Sequence, residues 1–154
     1  MQISKFSDYA LRILIHLAVA DDERLSAREI ANAQQLSFNH LAKIAQWLTS
    51  EGYVEALRGR GGGMVLAKKP ADISIGQLLR KLEAGSALVE CLRAEGNCCA
   101  FTGACGLVPM LVGAQEAFFA YLDQYTLEDA VHGQHGMAKL VQSLHVTSAS
   151  VFPS

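Results

Sequence analysis

The sequence predicts a mainly α-helical fold with one short β-hairpin. Its 154 residues are 51% hydrophobic and carry a net charge of −2, which indicates a folded chain with a substantial core. Apolar residues recur at helical spacing in several segments, and a run of arginines and glycines separates two strand-like pieces. Polar residues interrupt the longest apolar runs, so no membrane span is expected.

The first predicted helix covers residues 6–20. Leu11 and Ile15 give it a second apolar face, so we expect it to be buried on two sides. The main apolar stripe follows the i, i+3, i+4, i+7, i+8 pattern and consists of Ala10, Ile13, Leu14, Leu17 and Ala18.

Two shorter helices follow, separated by a turn of about three residues. Ser26 and Glu29 form a capping box that opens a helix ending near Gln34. Ser37 begins the next helix, and Gly52 ends it. The residues of this third helix that are expected to face inward are Leu41, Ile44, Ala45 and Leu48.

Strand-like pieces at residues 53–57 and 64–67 flank a loop of the sequence RGRGGG. Two short helices, a tight turn and then a hairpin predict a winged helix-turn-helix, whose second helix enters the major groove of DNA. The loop also resembles a phosphate-binding loop, but it lacks the following Lys-Ser/Thr and does not open a helix.

The outward face of the third helix and the wing carry the candidate DNA contacts. Asn and Gln side chains can pair with adenine edges, Lys can reach guanine or phosphate, and glycines let a wing approach a groove closely. Residues 1–70 contain nine Lys and Arg against seven Asp and Glu, whereas residues 71–154 contain four against eight, which favours an N-terminal anion-binding surface. The candidate contacts are Ser37, Asn39, His40, Lys43, Arg58, Arg60, Gly61 and Gly62.

Residues 1–70 are therefore predicted to form the DNA-binding domain, and residues 71–131 to form a second unit. Ser74 and Gln77 form a capping box for a short helix, and a long helix is predicted over residues 108–124. No helix of equal length is available to pair with the long one, so we expect it to form a homodimer interface. Residues 132–154 are rich in Gly, Ser and His and are expected to be a flexible tail. The apolar stripe of the long helix consists of Leu111, Ala114, Phe118, Tyr121, Leu122 and Tyr125.

Four cysteines lie between the two helices of the second unit, at Cys91, Cys98, Cys99 and Cys105. No secretory signal precedes them, which predicts a cytoplasmic protein with reduced thiols acting as metal ligands or redox sensors. Six residues separate Cys91 from Cys98 and five separate Cys99 from Cys105, wider gaps than the two to four typical of zinc sites. Such gaps suit an iron–sulfur cluster, while glycines between the cysteines argue against small buried hydrophobes.

Five separated motifs resemble the NsrR and IscR type of iron–sulfur transcription regulators. They are FSDYALR at 6–12, RGRGGG at 58–63, LVEC at 88–91, ACGL at 104–107 and YTLED at 125–129. The resemblance covers about residues 1–131 and is closest to the nitric-oxide-sensing branch. It implies a dimeric repressor, not an enzyme, that binds a palindromic operator in double-stranded DNA. Each subunit would hold one [4Fe-4S] or [2Fe-2S] cluster, with nitric oxide as the signal.

The resemblance also implies a ligand set. The family spacing matches Cys99 to Cys105, so we choose Cys99 over Cys98 as the middle ligand, with Cys91 as the first. In the nitric-oxide branch the fourth ligand is a carboxylate of the partner's first helix, which would be Asp8 here. A helix-end carboxylate is the simpler interpretation of Asp8.

Other functions remain open on the same scaffold. A general iron–sulfur or redox-status regulator, or a zinc- or thiol-sensing one, would use the same residues. An electron carrier or an enzyme is disfavoured, because a winged helix serves neither and no catalytic constellation lies near the cysteines.

Overall fold

The structure is a computed structural model that describes residues 3–59, 61–93, 95–132 and 136–149. These residues form a mainly helical fold with one antiparallel β-hairpin, as predicted. None of the helices described is long and apolar enough to cross a membrane. In chain order the elements are α1 (Lys5–Ala20), α2 (Ala27–Gln34), α3 (Phe38–Ser50), β1 (Val54–Leu57), β2 (Gly63–Leu66), α4 (Ile75–Leu82), α5 (Leu107–Leu122), α6 (Leu127–His132) and α7 (Met137–Ala149), with short 3-10 turns at Pro70–Asp72 and Glu90–Leu92.

The predicted helix-turn-helix is confirmed as α2 and α3. Ser26 and Glu29 form both hydrogen bonds of the capping box. The residue that follows α2, Gln35, is its C-cap and has a left-handed φ of 52°. Ser37 occupies the N-cap position of α3 in extended backbone, but its side chain makes no capping hydrogen bond. The hydroxyl of Ser37 is therefore not used to hold the helix.

One apolar core joins the first three helices to the second half of the chain. Ile73, Leu78 and Leu127 are buried in it together with the inward faces of α1 and α3. This core therefore extends across the domain boundary that was predicted at residue 70. The fully buried side chains of the N-terminal part include Ile13, Leu14, Ile30, Leu41, Ile44 and Leu48.

The wing is tied to the helix-turn-helix by a backbone bridge. β1 pairs with β2 from Val54 opposite Leu66 to Leu57 opposite Gly63. Leu25, just before α2, exchanges hydrogen bonds of 2.8 and 3.2 Å with Met64 of β2. The wing and α2 are therefore held together as one unit.

Helix α5 packs against α4 along one side only. A Cβ atom at Gly76 would overlap Asp123 and the carbonyl of Phe119, so only glycine allows this close crossing. Arg80 of α4 adds ion pairs to Glu116 and Asp123. Phe119 is the buried residue of α5, and much of the rest of this apolar helix faces outward in the single chain.

The apolar stripe predicted for the long helix divides into two faces. Leu111, Phe118 and Leu122 are half-buried within the chain, whereas Ala114, Tyr121 and Tyr125 are exposed. Packing within the chain thus buries part of the stripe that was predicted to form the dimer interface.

The expected flexible tail over residues 132–154 contains helix α7. This helix packs mainly against α2, with further contacts to α1 and α6. Val141 is buried in that contact, so a short apolar contact supports a helix that the Gly/Ser/His-rich composition did not predict. His132 is the last residue of α6.

Candidate DNA-binding surface and cysteine loop

Helix α3 presents an exposed polar face. Asn39, His40, Lys43 and Gln46 are exposed, and in the described part of the chain no hydrogen bond or ion pair engages their side chains. The opposite face is buried in the core through Leu41 and its neighbours one turn apart. Side chains with donors and acceptors and no internal partner are those that a groove of DNA can engage.

Arg28 of α2 is a basic residue that the sequence did not single out. Its guanidinium lies 4.5 Å from the ring centre of Phe38, the first residue of α3. Stacking on the ring places the cation at the N-terminal end of the recognition helix, where phosphates commonly bind. Arg28 lies in the first turn of α2, ten positions before Phe38 in the sequence, and this separation gave no signal for the contact.

The wing loop is a tight, glycine-dependent turn. The N–H of Gly62 donates to the carbonyl of Gly59 at 2.9 Å, and a Cβ atom at Gly62 would overlap the carbonyl of Leu57. Arg58 and Gly61 are exposed in this loop, while Arg60 lies outside the described residues. The turn therefore presents backbone and the Arg58 guanidinium to the outside.

The cysteine loop, defined here as residues 84–106, lies between α4 and α5. Asn97 accepts a hydrogen bond from the backbone N–H of Cys99 at 3.0 Å, and Thr102 donates to the carbonyl of Cys99 at 2.8 Å. The backbone N–H of Cys98 donates instead to the carboxylate of Glu90 at 2.9 Å. Local polar contacts, not a core, give the loop its shape.

The four thiols are free. Cys91, Cys99 and Cys105 are half-buried, and Cys98 is exposed. Three thiolates suit the soft iron of an iron–sulfur cluster, and free thiols in a loop outside the core can be drawn together. Among the residues described, however, no three His, Cys, Asp or Glu side chains are grouped as a metal site, so the donor chemistry fits while the loop still has to close.

Asp8 lies in the first turn of α1, and its carboxylate is half-exposed. It accepts two hydrogen bonds from Arg12, at 2.9 and 3.1 Å, as an i, i+4 ion pair. The same guanidinium donates to the amide oxygen of Gln34, at the end of α2. Asp8 is thus oriented from within its own chain and remains accessible.

Glu83, at the end of α4, clamps the start of α1 to the root of the cysteine loop. Its carboxylate accepts hydrogen bonds from the backbone N–H and hydroxyl of Ser4, at 2.9 and 2.8 Å, and from the hydroxyl of Ser7. Burial raises the pKa of Glu83, but the hydrogen bonds from Ser7 and Ser4 outweigh it and lower this pKa overall. The helix that carries Asp8 and the loop that carries the cysteines are therefore connected in each chain.

Two helices joined by a short turn, a bridged β-hairpin and an unpaired polar face on the second helix define a winged helix-turn-helix protein that binds DNA. The chain belongs to the Rrf2 family, whose model, described as an iron-dependent transcriptional regulator, matches residues 3–133. This agrees with the resemblance that the five motifs predicted. The chain is a transcription regulator and not an enzyme.

Curated relatives cover nearly the whole chain. The transcriptional regulator NsrR of Geobacillus kaustophilus (strain HTA426) is 42% identical over 143 residues, which are 92% of this chain and 97% of that protein. The transcriptional repressor NsrR of Streptomyces coelicolor (strain ATCC BAA-471 / A3(2) / M145) is 44% identical over 139 residues, 88% of this chain and 92% of that protein.

Solved structures share the fold. CymR, the global cysteine regulator of B. subtilis, superposes with a TM-score of 0.68 at 30% identity, covering 87% of this chain and 98% of that one. IscR of T. potens has a TM-score of 0.66 at 24% identity, over 84% of this chain and 85% of that one, which supports the fold alone.

Proposed function

We propose that the protein is a homodimeric repressor that binds an iron–sulfur cluster and responds to nitric oxide by releasing its operator. The observation that carries this proposal is the loop of free thiols at Cys91, Cys99 and Cys105, outside the core of a chain that binds DNA. The similarity to curated NsrR proteins supports it.

Three thiolates and one carboxylate are the proposed ligands. Cys91, Cys99 and Cys105 would hold one cluster in each subunit, [4Fe-4S] or [2Fe-2S], with Asp8 of the partner subunit as the fourth ligand. The group would supply iron that reacts with nitric oxide. Because Asp8 is paired with Arg12, its carboxylate has to leave that ion pair in order to bind iron, so ligation changes the contacts of α1.

The exposed face of α5 supports the homodimer. Met110 is 68% exposed and Tyr121 is 57% exposed, and Leu107 and Val112 lie in the open on the same helix. Leu107, Met110 and Tyr121 recur at helical spacing and so share one exposed face of α5. An exposed apolar face on a helix usually marks an interface, and a symmetric one would pair α5 with its own copy. Two DNA-binding units in a dimer predict a palindromic operator with half-sites about one helical turn apart.

Charged substitutions on α5 test the dimer. Met110→Glu and Tyr121→Glu should each raise the dimer dissociation constant by about 100-fold or more, because each loses burial worth about 1.5–3 kcal/mol and occurs twice in a symmetric interface. Analytical ultracentrifugation measures the constant. The matched control is Leu140→Glu, which makes the same kind of change at an exposed leucine of α7. If both α5 variants dimerise like the control, α5 is not the interface.

Alanine substitutions on α3 and the wing test DNA binding, with an operator selected by the wild-type protein from a random DNA pool. Lys43→Ala and Arg60→Ala should each weaken binding by about 1–3 kcal/mol and relax the sequence preference, because these side chains are proposed to contact base edges. Arg58→Ala should weaken binding to all sequences alike and reduce the salt dependence, because this residue is proposed to contact phosphate. Gel-shift titrations at several salt concentrations measure both effects.

Lys139→Ala is the matched control, since it removes an exposed cation from α7. Operator binding equal to wild type in all three variants would remove this surface from the mechanism.

A zinc- or thiol-sensing regulator is the second candidate, favoured by the exposed extra thiol of Cys98 beside Cys99. Anaerobic purification separates the two candidates, because an iron–sulfur protein absorbs visible light and a zinc-loaded protein is colourless. A colourless, zinc-containing preparation would favour this second candidate.

A further inference from the structure

Helix α7 is attached to the DNA-binding half through a row of polar side chains. His16 of α1 is only 1% exposed, and its Nδ1 lies 2.8 Å from Nε2 of His145 on α7. Its other nitrogen, Nε2, lies 2.8 Å from the amide nitrogen of Gln34, the last residue of α2. The amide oxygen of Gln34 accepts from Arg12 at 3.1 Å. These four side chains, here called the relay, join α1, α2 and α7.

The hydrogen bonds of the relay run in one direction. A guanidinium can only donate, so the oxygen of Gln34 faces Arg12 and its NH2 group faces His16. Nε2 of His16 is then an acceptor, which places the ring proton on Nδ1, from where it is donated to His145. Arg12 therefore sets the orientation of every later member.

A proton added to His16 would break this order. The protonated ring has two donors, one of which would meet the NH2 group of Gln34, and turning that amide over would set NH2 against Arg12. Burial, followed by repulsion from His145, lowers the pKa of His16 to about 4. The carboxylates of Glu23 and Glu29 line the cavity beside the histidine pair.

This cavity lies directly beside the contact between α7 and the rest of the chain. It has a volume of about 560 Å³ and is lined by residues of α1, α2 and α7, among them Asn32 and Gln142. In the described part of α7, Val141 is the buried side chain. Val141 and the relay thus take part in holding the helix, with the cavity beside them.

We propose that α7 is a detachable brace of the helix-turn-helix, held by the relay, and that Gln34, His16 and His145 are positioning residues for the DNA-binding surface. Gln34 is followed directly by the turn into α3, so the relay meets the DNA-binding motif at that point. Gln34 is bonded at both ends to side chains of α1, and His145 of the docked α7 accepts the Nδ1 proton of His16, which keeps Nε2 of His16 an acceptor for Gln34. The inference rests on the proposed function only in requiring that α3 binds DNA.

Acid should release the brace. The pKa of His16 is about 4 in the docked state and returns towards its ordinary 6.5 when the ring is hydrated. Docking is therefore fully favoured above pH 6.5 and weakens as the pH falls from 6.5 towards 4. These values make docking about 20-fold weaker at pH 5 than at pH 7.

Amide hydrogen exchange of α7 in the full chain measures docking, after correction for the intrinsic effect of pH. His145→Ala should lower the protection of α7 about tenfold at pH 7 and weaken binding to the selected operator several-fold. His16→Gln should keep wild-type protection at pH 7, because a glutamine can accept from Gln34 and donate to His145, but should lose most of the pH effect. His132→Ala removes an exposed histidine from α6 and should change neither quantity.

Protection in His145→Ala equal to that of wild type would overturn the relay as the attachment of α7. Lower protection with unchanged operator binding would overturn its role as a brace. A pH effect in His16→Gln as large as in wild type would overturn the assignment to His16. Failure of wild-type protein to bind any selected DNA would count against the proposed function instead, and the exchange measurements would still decide on the relay.

Discussion

Cys91→Ala, Cys99→Ala and Cys105→Ala are each expected to abolish the visible absorbance of the anaerobically purified protein. With one of these thiolates removed, two of the three proposed sulfur ligands and one distant carboxylate remain, too few soft ligands to retain the proposed cluster. Cys98→Ala should retain most of the absorbance, because the exposed Cys98 is held by a different contact, to Glu90, from the one that orients Cys99. Ultraviolet–visible spectra and iron analysis measure the outcome.

Cys98→Ala is also the matched control, since it removes a thiol from the neighbouring position. The choice of middle ligand is wrong if Cys98→Ala loses the absorbance and Cys99→Ala retains it. If every cysteine variant keeps its iron, the metal is bound outside this loop.

Asp8→Ala is expected to retain a labile cluster on three thiolates, yet to bind the operator weakly and respond little to nitric oxide. A carboxylate is a harder and poorer partner for iron–sulfur iron than a thiolate, so Asp8 is the proposed ligand that is released first. Lowering operator occupancy from about 99% to 1% requires a difference of about 5.5 kcal/mol between the two states. A bond between subunits, made by a helix that Glu83 clamps to its own cysteine loop, could supply such coupling.

The ion pair with Arg12 complicates Asp8→Ala, and Arg12→Gln resolves the ambiguity. An exposed i, i+4 pair contributes only about 0.3–0.5 kcal/mol, far less than the coupling in question. Arg12→Gln removes the pair and the guanidinium that donates to Gln34, but it leaves the carboxylate. Its operator affinity should therefore fall through the relay, while the fold-change of that affinity on nitric oxide treatment should stay substantial. Operator titrations with and without a nitric oxide donor compare the variants. Wild-type affinity and a full response in Asp8→Ala would reduce Asp8 to a helix-end carboxylate.

Local spacing predicted most of the fold. The caps at Ser26 and Ser74 lie within one turn of the helices that they open, so the sequence alone identifies them. Ser26 forms the complete capping box, whereas at Ser74 the described bond is that from the backbone N–H of Gln77 to the hydroxyl. The apolar period likewise predicted the buried face of α3, because residues one turn apart share a face. The candidate contacts on that helix are exposed for the same reason.

Contacts between distant segments were not predictable in this way. Ser4 and Glu83 are 79 positions apart, and His16 and His145 are 129 apart, so no periodicity relates them. The same limitation hid α7, whose docking depends on residues of α1 and α2, and hid the packing of α5 against α4. Gly76 of α4 permits this packing. In the sequence it stands inside a predicted capping box, which does not indicate a close crossing with another helix.

The close crossing at Gly76 affects how the cysteine loop would bind and release the proposed cluster. Because α4 and α5 hold together through their own contacts, the two helices that carry the ends of the loop stay fixed relative to each other whether or not the thiols are bound. The entropy of loop closure is thus already lost on folding, and metal binding has to order only the residues in between. A sensor of the proposed kind would then lose and regain its cluster by local rearrangement, without a round of unfolding between one signal and the next.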